Sequence, residues 1–158
     1  MIHDAPVHPP TSTFIARLAI HVDPPIELGE NAQGKRRFIA ITGGRVSGER
    51  LSGVVLAGGG DWQTIRPDGV ADLHARYFLE TDSGDRIEVE NIGFRHGPAD
   101  VMQRLQRGEP VAPESYYFLT TPRFFTTSPA YAWLTRTIFL GKAERTRDEV
   151  LIDLFAVD

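Results

Sequence analysis

Apolar and polar residues alternate one by one along most of this chain, in short runs separated by Gly, Pro, Asp and Ser. The runs are Phe14 to Val22, Arg37 to Thr42, Arg45 to Ser47, Leu51 to Ala57, Asp61 to Arg66, Val70 to Thr81, Arg86 to Asn91, Ser115 to Thr121, Arg136 to Lys142 and Val150 to Val157. A two-residue period with turn signals at even spacing predicts an all-β chain. The expected fold is an antiparallel up-and-down β-barrel of lipocalin-like shape with one short helix. A barrel of about eight or more strands can fill its interior with side chains or hold one small ligand. The helix is expected from about Ala99 to Arg107. Pro98 opens it, Gly108 stops it, and Val101 and Leu105 share a face. It either lies over a barrel end as a lid or plugs the bottom of the core.

Two turns set the register. "RPDG" (Arg66 to Gly69) has the type I signature, with a glycine able to take positive φ. Pairing Arg66 with Val70 sets Gln63 opposite Leu73, Trp62 opposite His74 and Asp61 opposite Ala75. "DSG" (Asp82 to Gly84) pairs Thr81 with Asp85, which sets Tyr77 opposite Val89 and Ala75 opposite Asn91. One face then carries Asp61, Gln63, Ile65, Leu73, Ala75, Tyr77, Leu79, Ile87, Val89 and Asn91. The other carries Trp62, Thr64, Arg66, Asp72, His74, Arg76, Phe78, Glu80, Glu88 and Glu90. The first is mostly apolar and is expected to point inward. A one-residue slip would reverse the faces and bring Asp72, His74 and Arg76 inside.

This register gathers Asp61, Ala75 and Asn91 into one inward row flanked by Tyr77 and Gln63. An unpartnered polar group facing an apolar interior costs roughly 1–3 kcal/mol. Such a row is either a ligand site or a self-satisfied hydrogen-bond network closing the barrel. Trp62 is placed with His74 on the outer wall, as packing, an oligomer contact or a ligand contact. The aromatic stretch "YYFLTTPRFFTTSPAYAWL" (Tyr116 to Leu134) suggests an apolar pocket wall that includes Trp133, with Arg123 as a guanidinium for a carboxylate. The bland alternative is core packing with Arg123 at a strand end.

Composition narrows the function classes. The chain has 158 residues, a net charge of −4 and no cysteine. One domain over residues 13–158 is expected, after a Pro-rich tail over residues 1–12. No basic footprint points to nucleic acid; "GKRR" (Gly34 to Arg37) reads as a solvated charge cluster or a small partner site. No apolar run approaches the ~20 residues of a membrane helix, and the first residues do not resemble a secretory signal. A cytoplasmic location is expected. His3, His8, His21, His74 and His96 form no metal-ligand motif, so no metal is expected. "GGG" (Gly58 to Gly60) lacks the phosphate-loop pattern and is expected at a bulge or bend, and no cofactor fingerprint is present. His96, in "NIGFRHGP", is expected in a loop, where it is a surface histidine or an acid–base group.

The segments "RRFIAITGG", "LSGVVLAGGGDWQTIRPDGVADLHARYFLET", "YYFLTTPRFFT" and "YAWLTRTIFLG" resemble the bacterial and fungal family catalogued as domain of unknown function 3237. The resemblance spans Phe14 to Val157 and implies a small antiparallel β-barrel. It implies no reaction and no catalytic residues. Members often carry an acid at the position of His74, so no role is assigned there.

Three functional readings follow. In the first, the chain is a cofactor-independent lyase, isomerase or cyclase acting on a small apolar or aromatic molecule with a polar or carboxylate group. Asp61 is the general base, Tyr77 the proton or hydrogen-bond donor, Gln63 and Asn91 orient the substrate, and Trp62, Arg123 and Trp133 contact it. The second is a carrier or sensor of a hydrophobic metabolite, and the third a structural module with a filled core. A homodimer is an expectation from the general behaviour of small chains.

Overall fold

In a computed structural model, which describes residues 4–158, the alternating runs form ten strands and one α-helix. The strands are β1 (Ser12–Val22), β2 (Ile26–Asn31), β3 (Gly34–Ser47), β4 (Gly53–Val55), β5 (Gly59–Ile65), β6 (Ala71–Thr81), β7 (Arg86–His96), β8 (Tyr117–Phe125), β9 (Ile138–Arg145) and β10 (Glu149–Val157). All pairings are antiparallel, and the sheet closes through β1 and β3. β4 and β5 share one place in the wall, between β3 and β6, so the closed circuit has eight positions. β2 continues the line of β1 along the first half of β3 and lies on the exposed edge of the opening.

Both turns set the expected register. Arg66 N donates to Val70 O, and Thr81 N donates to Asp85 O. Asp61 opposes Ala75, Trp62 opposes His74, Ala75 opposes Asn91 and Tyr77 opposes Val89. Gly69 and Gly84 take φ of +88° and +87°, the left-handed conformation that these turns demand. The inward face is the apolar one: Leu73, Tyr77, Leu79, Ile87 and Val89 are buried.

Several boundaries differ from expectation. Arg37 to Thr42 and Arg45 to Ser47 are one strand, β3, which changes partners where it passes Gly43 and Gly44. β2 is not among the expected strands: its alternation, Ile26-Glu27-Leu28, stops at Gly29, and all six residues are exposed. β7 runs on to His96, so the expected loop there is a strand. A 3-10 helix over Pro129–Arg136 fills the aromatic stretch between two expected strands, where no element was assigned.

The single α-helix, α1 (Ala99–Gln106), begins after Pro98, whose carbonyl accepts from Met102 N, and stops at Gly108 with φ +76°. Its apolar side carries Leu105 into the core and Met102 against it. α1 sits at the end of the barrel formed by the "RPDG" turn, the start of β3 and the end of β7, where it lines the opening. The opposite end is filled by Leu51, Val55, Leu79, Ile87, Phe124, Leu134 and Phe139. No described helix is long and apolar enough to cross a membrane.

Candidate functional site

The barrel interior is hollow at one end. An outer chamber of about 360 Å³ opens between β2, α1 and the β9–β10 turn. It narrows at Ile39, Arg95 and Arg145, which also line a deeper chamber of about 50 Å³. The deep chamber is bounded by Asp61, Gln63, Ala75, Tyr77, Asn91 and Thr120, among aliphatic residues and Phe118.

The glycines before Asp61 explain the local geometry. A Cβ on Gly59 would stand 2.5 Å from the Tyr77 Cβ, and one on Gly60 would stand 2.2 Å from the Phe38 ring. The bare backbone lets β5 lie close against β6 and lets Phe38 cover the outer side. Asp61 and Gln63, two residues apart, then point into the barrel while Trp62 points out.

Asp61 is held from two sides. Gln63 Nε2 donates to Oδ2 at 2.7 Å, and the backbone N of His74 donates to Oδ1 at 3.0 Å. Gln63 is 2% exposed, and its Oε1 accepts from Arg37 Nε at 2.7 Å. The chain Arg37–Gln63–Asp61 therefore fixes the orientation of the amide. Asp61 retains surface towards the concavity, yet the concavity keeps bulk water from it. Desolvation is the strongest influence and raises its pKa above the usual carboxylate value, against the Gln63 and His74 hydrogen bonds and the charges of Arg95 and Arg37.

Tyr77 is 2% exposed. Burial first, and the neighbouring Asp61 charge second, push its phenol far above its usual range, so it remains a neutral hydrogen-bond donor at physiological pH. Arg95 is 5% exposed and lies with its guanidinium carbon 5.2 Å from the centre of the Phe118 ring. Desolvation and the nearby Arg37 lower its pKa to about 10, opposed by Asp61. It still carries its charge at neutral pH. Burial likewise lowers Arg37 and Arg145. Asn91 Oδ1, Arg95 Nε and Thr120 Oγ1 are buried and have no hydrogen-bond partner among the described residues. All three residues line the deep chamber.

The structure thus brings together Asp61, Gln63, Tyr77 and Asn91, and leaves three expected contacts outside. Arg123 is exposed on the outer face of β8 opposite Glu90, because the β8 alternation buries Phe124 instead. Trp62 is 41% exposed and packs on Phe38 outside the barrel, with ring centres 4.9 Å apart. Trp133 lies in the 3-10 helix at the filled end, under the Arg50 guanidinium at 3.9 Å. His74 is exposed beside Glu90, and exposed His96 stacks on Tyr117 with ring centres 4.8 Å apart. Among the described residues no cluster of His, Cys, Asp and Glu suits a metal ion; His3 lies outside them.

The sequence reading missed Arg37, Arg95 and Arg145. The signal for Arg95 was present: the alternation that turns Val89 and Asn91 inward continues through Gly93 to Arg95. Reading "NIGFRHGP" as a loop ended the period too early. Arg37 was hidden in a charge cluster, although Ile39 and Ile41 share its parity.

Comparison with other proteins agrees with this architecture. A UPF0311 protein of Rhodopseudomonas palustris is 49% identical over 129 residues, covering 82% of this chain and 84% of that protein. The crystal structure of a conserved protein of unknown function from R. palustris superposes with a TM-score of 0.91 at 41% identity, covering 96% of this chain and 99% of that one. A β-barrel-like protein from Acinetobacter baumannii gives 0.85 at 38% identity, covering 99% and 100%. A structure described as an enzyme from Penicillium herquei gives 0.76 at 19% identity, covering 99% and 100%, a likeness of fold. The profile described as "Protein of unknown function (DUF3237)" matches residues 10–157, and on that match, together with these relatives, the chain belongs to the DUF3237 family.

Proposed function

We propose that the hollow end binds a small, largely apolar molecule through one polar group and that Asp61 exchanges a proton with it. The observation that carries this reading is that a desolvated carboxylate and three residues with unpartnered polar atoms line one chamber. A general base works best when its pKa approaches the operating pH, and burial moves Asp61 in that direction. Tyr77, held neutral, is suited to donate to an oxygen that gains negative charge. Gln63 holds the base and Asn91 offers an orienting contact. The chemistry that fits is proton abstraction beside a carbonyl, as in a lyase, isomerase or cyclase that needs no cofactor. The deep chamber admits only the reacting group, and the body of the molecule occupies the outer chamber.

A carrier is the second reading, and one observation favours it. Asp61 already accepts two hydrogen bonds, as an inert positioning group would. Proton exchange separates the two readings without knowledge of the net reaction. Small enolisable ketones and keto acids are incubated in D₂O with the protein, and loss of the α-proton signal is followed by NMR. The acid–base reading expects exchange that drops at least about 100-fold in Asp61→Asn and at least about 10-fold in Tyr77→Phe, the scale of one general acid or base. Ligands that bind without exchange, or exchange indifferent to Asp61, would leave a carrier.

A further inference from the structure

We infer that the narrowing between the two chambers is an oxyanion subsite, in which Arg95, with Arg37 and Arg145 beside it, receives the carboxylate of a compact, largely apolar organic acid. This inference rests on the hollow end being a ligand site, as proposed above. It does not require that Asp61 perform chemistry.

The first argument is the state of Arg95. A guanidinium normally buries itself against a carboxylate or a set of carbonyls, because an unpaired buried charge is costly. Arg95 is almost fully buried, yet its Nε has no acceptor among the described residues. Its side chain lines both chambers, so a ligand that enters the deeper one meets this guanidinium. The second argument is charge balance. Arg37, Arg95 and Arg145 stand close enough to repel one another; Asp61 acts on all three from among the residues that line the deep chamber, while Asp148 acts on Arg145 from the β9–β10 turn. Arg37 Nε is engaged by the neutral Gln63, with Glu27 near it at the exposed rim. Around the deep chamber, Arg95 and Arg145 therefore face Asp61 as the one carboxylate that lines it, which favours an anionic ligand there.

Shape selects the kind of anion. A planar carboxylate matches the fork of a guanidinium and occupies little depth. The chamber beyond the narrowing holds only about 50 Å³ among mainly aliphatic side chains and Phe118, a setting that favours an organic acid over inorganic phosphate. The apolar body of the acid would lie outward, against Ile65, Met102 and Leu105. Arg95 thereby takes the role expected of Arg123 from the sequence.

The test uses the intact protein with benzoate, phenylacetate and cinnamate, their carboxamides, and inorganic phosphate. Affinity is read by calorimetry at low salt, and melting temperature by thermal shift. The acids should bind at least about tenfold more tightly than their amides, a difference of 1.4 kcal/mol. Arg95→Met should abolish that preference while raising the melting temperature of the ligand-free protein, since it removes a buried unpaired charge. Arg95→Lys should retain part of it. The inference is overturned if none of the acids binds, if acids and amides bind alike, if phosphate binds more tightly than the acids, or if Arg95→Met leaves the preference intact. A fall in the melting temperature of Arg95→Met would also count against it, because Arg95 would then be a structural prop. Asp61-dependent proton exchange on neutral ketones, together with acids and amides that bind alike, would keep the acid–base reading and remove the subsite. Arg95-dependent acid binding with no exchange on any probe would do the reverse.

Discussion

The two ends of the barrel are built from the same strands and differ in what those strands send inward. β6 and β7 give Leu79, Ile87 and Val89 to the filled end, then Tyr77, Asn91 and Arg95 towards the open end. At the filled end, Phe124 and Phe139 meet edge to face with centroids 5.1 Å apart, and Leu134 from the 3-10 helix completes the plug. At the open end, buried polar atoms lack partners and three arginines face one carboxylate. The alternation that closes a sheet into a barrel does not distinguish an inward leucine from an inward arginine. Close apolar packing is concentrated in one half and unpartnered polar atoms in the other, so stability is expected to reside mainly in the first.

The comparison can be broken most directly at the filled end. Phe139→Ala removes a side chain 1% exposed and should cost about 3–5 kcal/mol, measured by urea denaturation. A cost below about 1 kcal/mol would mean that the plug is not where the stability lies. Gly59→Ala addresses the boundary between the halves. The new methyl would meet Tyr77 Cβ and Arg76 O at 2.5 Å and should cost about 1–3 kcal/mol while displacing Tyr77. An unchanged midpoint would show that β5 can move away freely.

A smaller effect concerns pH. The folded state holds the Asp61 proton more tightly than the unfolded chain does, because burial raises its pKa. Stability from this group is therefore highest below the unfolded carboxylate pKa of about 3.8 and declines as pH rises through the folded value. Asp61→Asn removes that decline. The stability difference, Asn variant minus wild type, should grow with pH across the acidic range and then level off in denaturation midpoints. A difference that stays flat or shrinks with rising pH would mean that Asp61 is not desolvated. The smallest effect belongs to the outer wall. Arg123→Ala should change stability by less than about 0.5 kcal/mol and leave acid binding untouched, since Arg123 is exposed and lies outside both chambers. A loss of binding there would return Arg123 to the site.

The central hairpins were legible because two glycine turns fix their register. With Arg66 opposite Val70 and Thr81 opposite Asp85, a period of two assigns every later side chain to a face. That is why Asp61, Gln63, Tyr77 and Asn91 could be grouped from the chain alone. The reading failed where local pattern and element boundary disagreed. Arg95 was lost because Gly93 and Gly97 made the end of β7 look like a loop. Arg123 was overvalued because aromatic density says nothing about which way a strand faces.

The sequence by itself determined an alternating antiparallel sheet, the register of its central hairpins and the residue types on each face. These depend on interactions among near neighbours and on turn geometry. Only the tertiary structure decided that the sheet closes through β1 and β3, that one end is filled and the other hollow, and that Arg37, Arg95 and Arg145 meet across it. Those outcomes depend on contacts between strands far apart in the chain. No local period encodes how much space remains, or which charges are left without partners, once such strands have met.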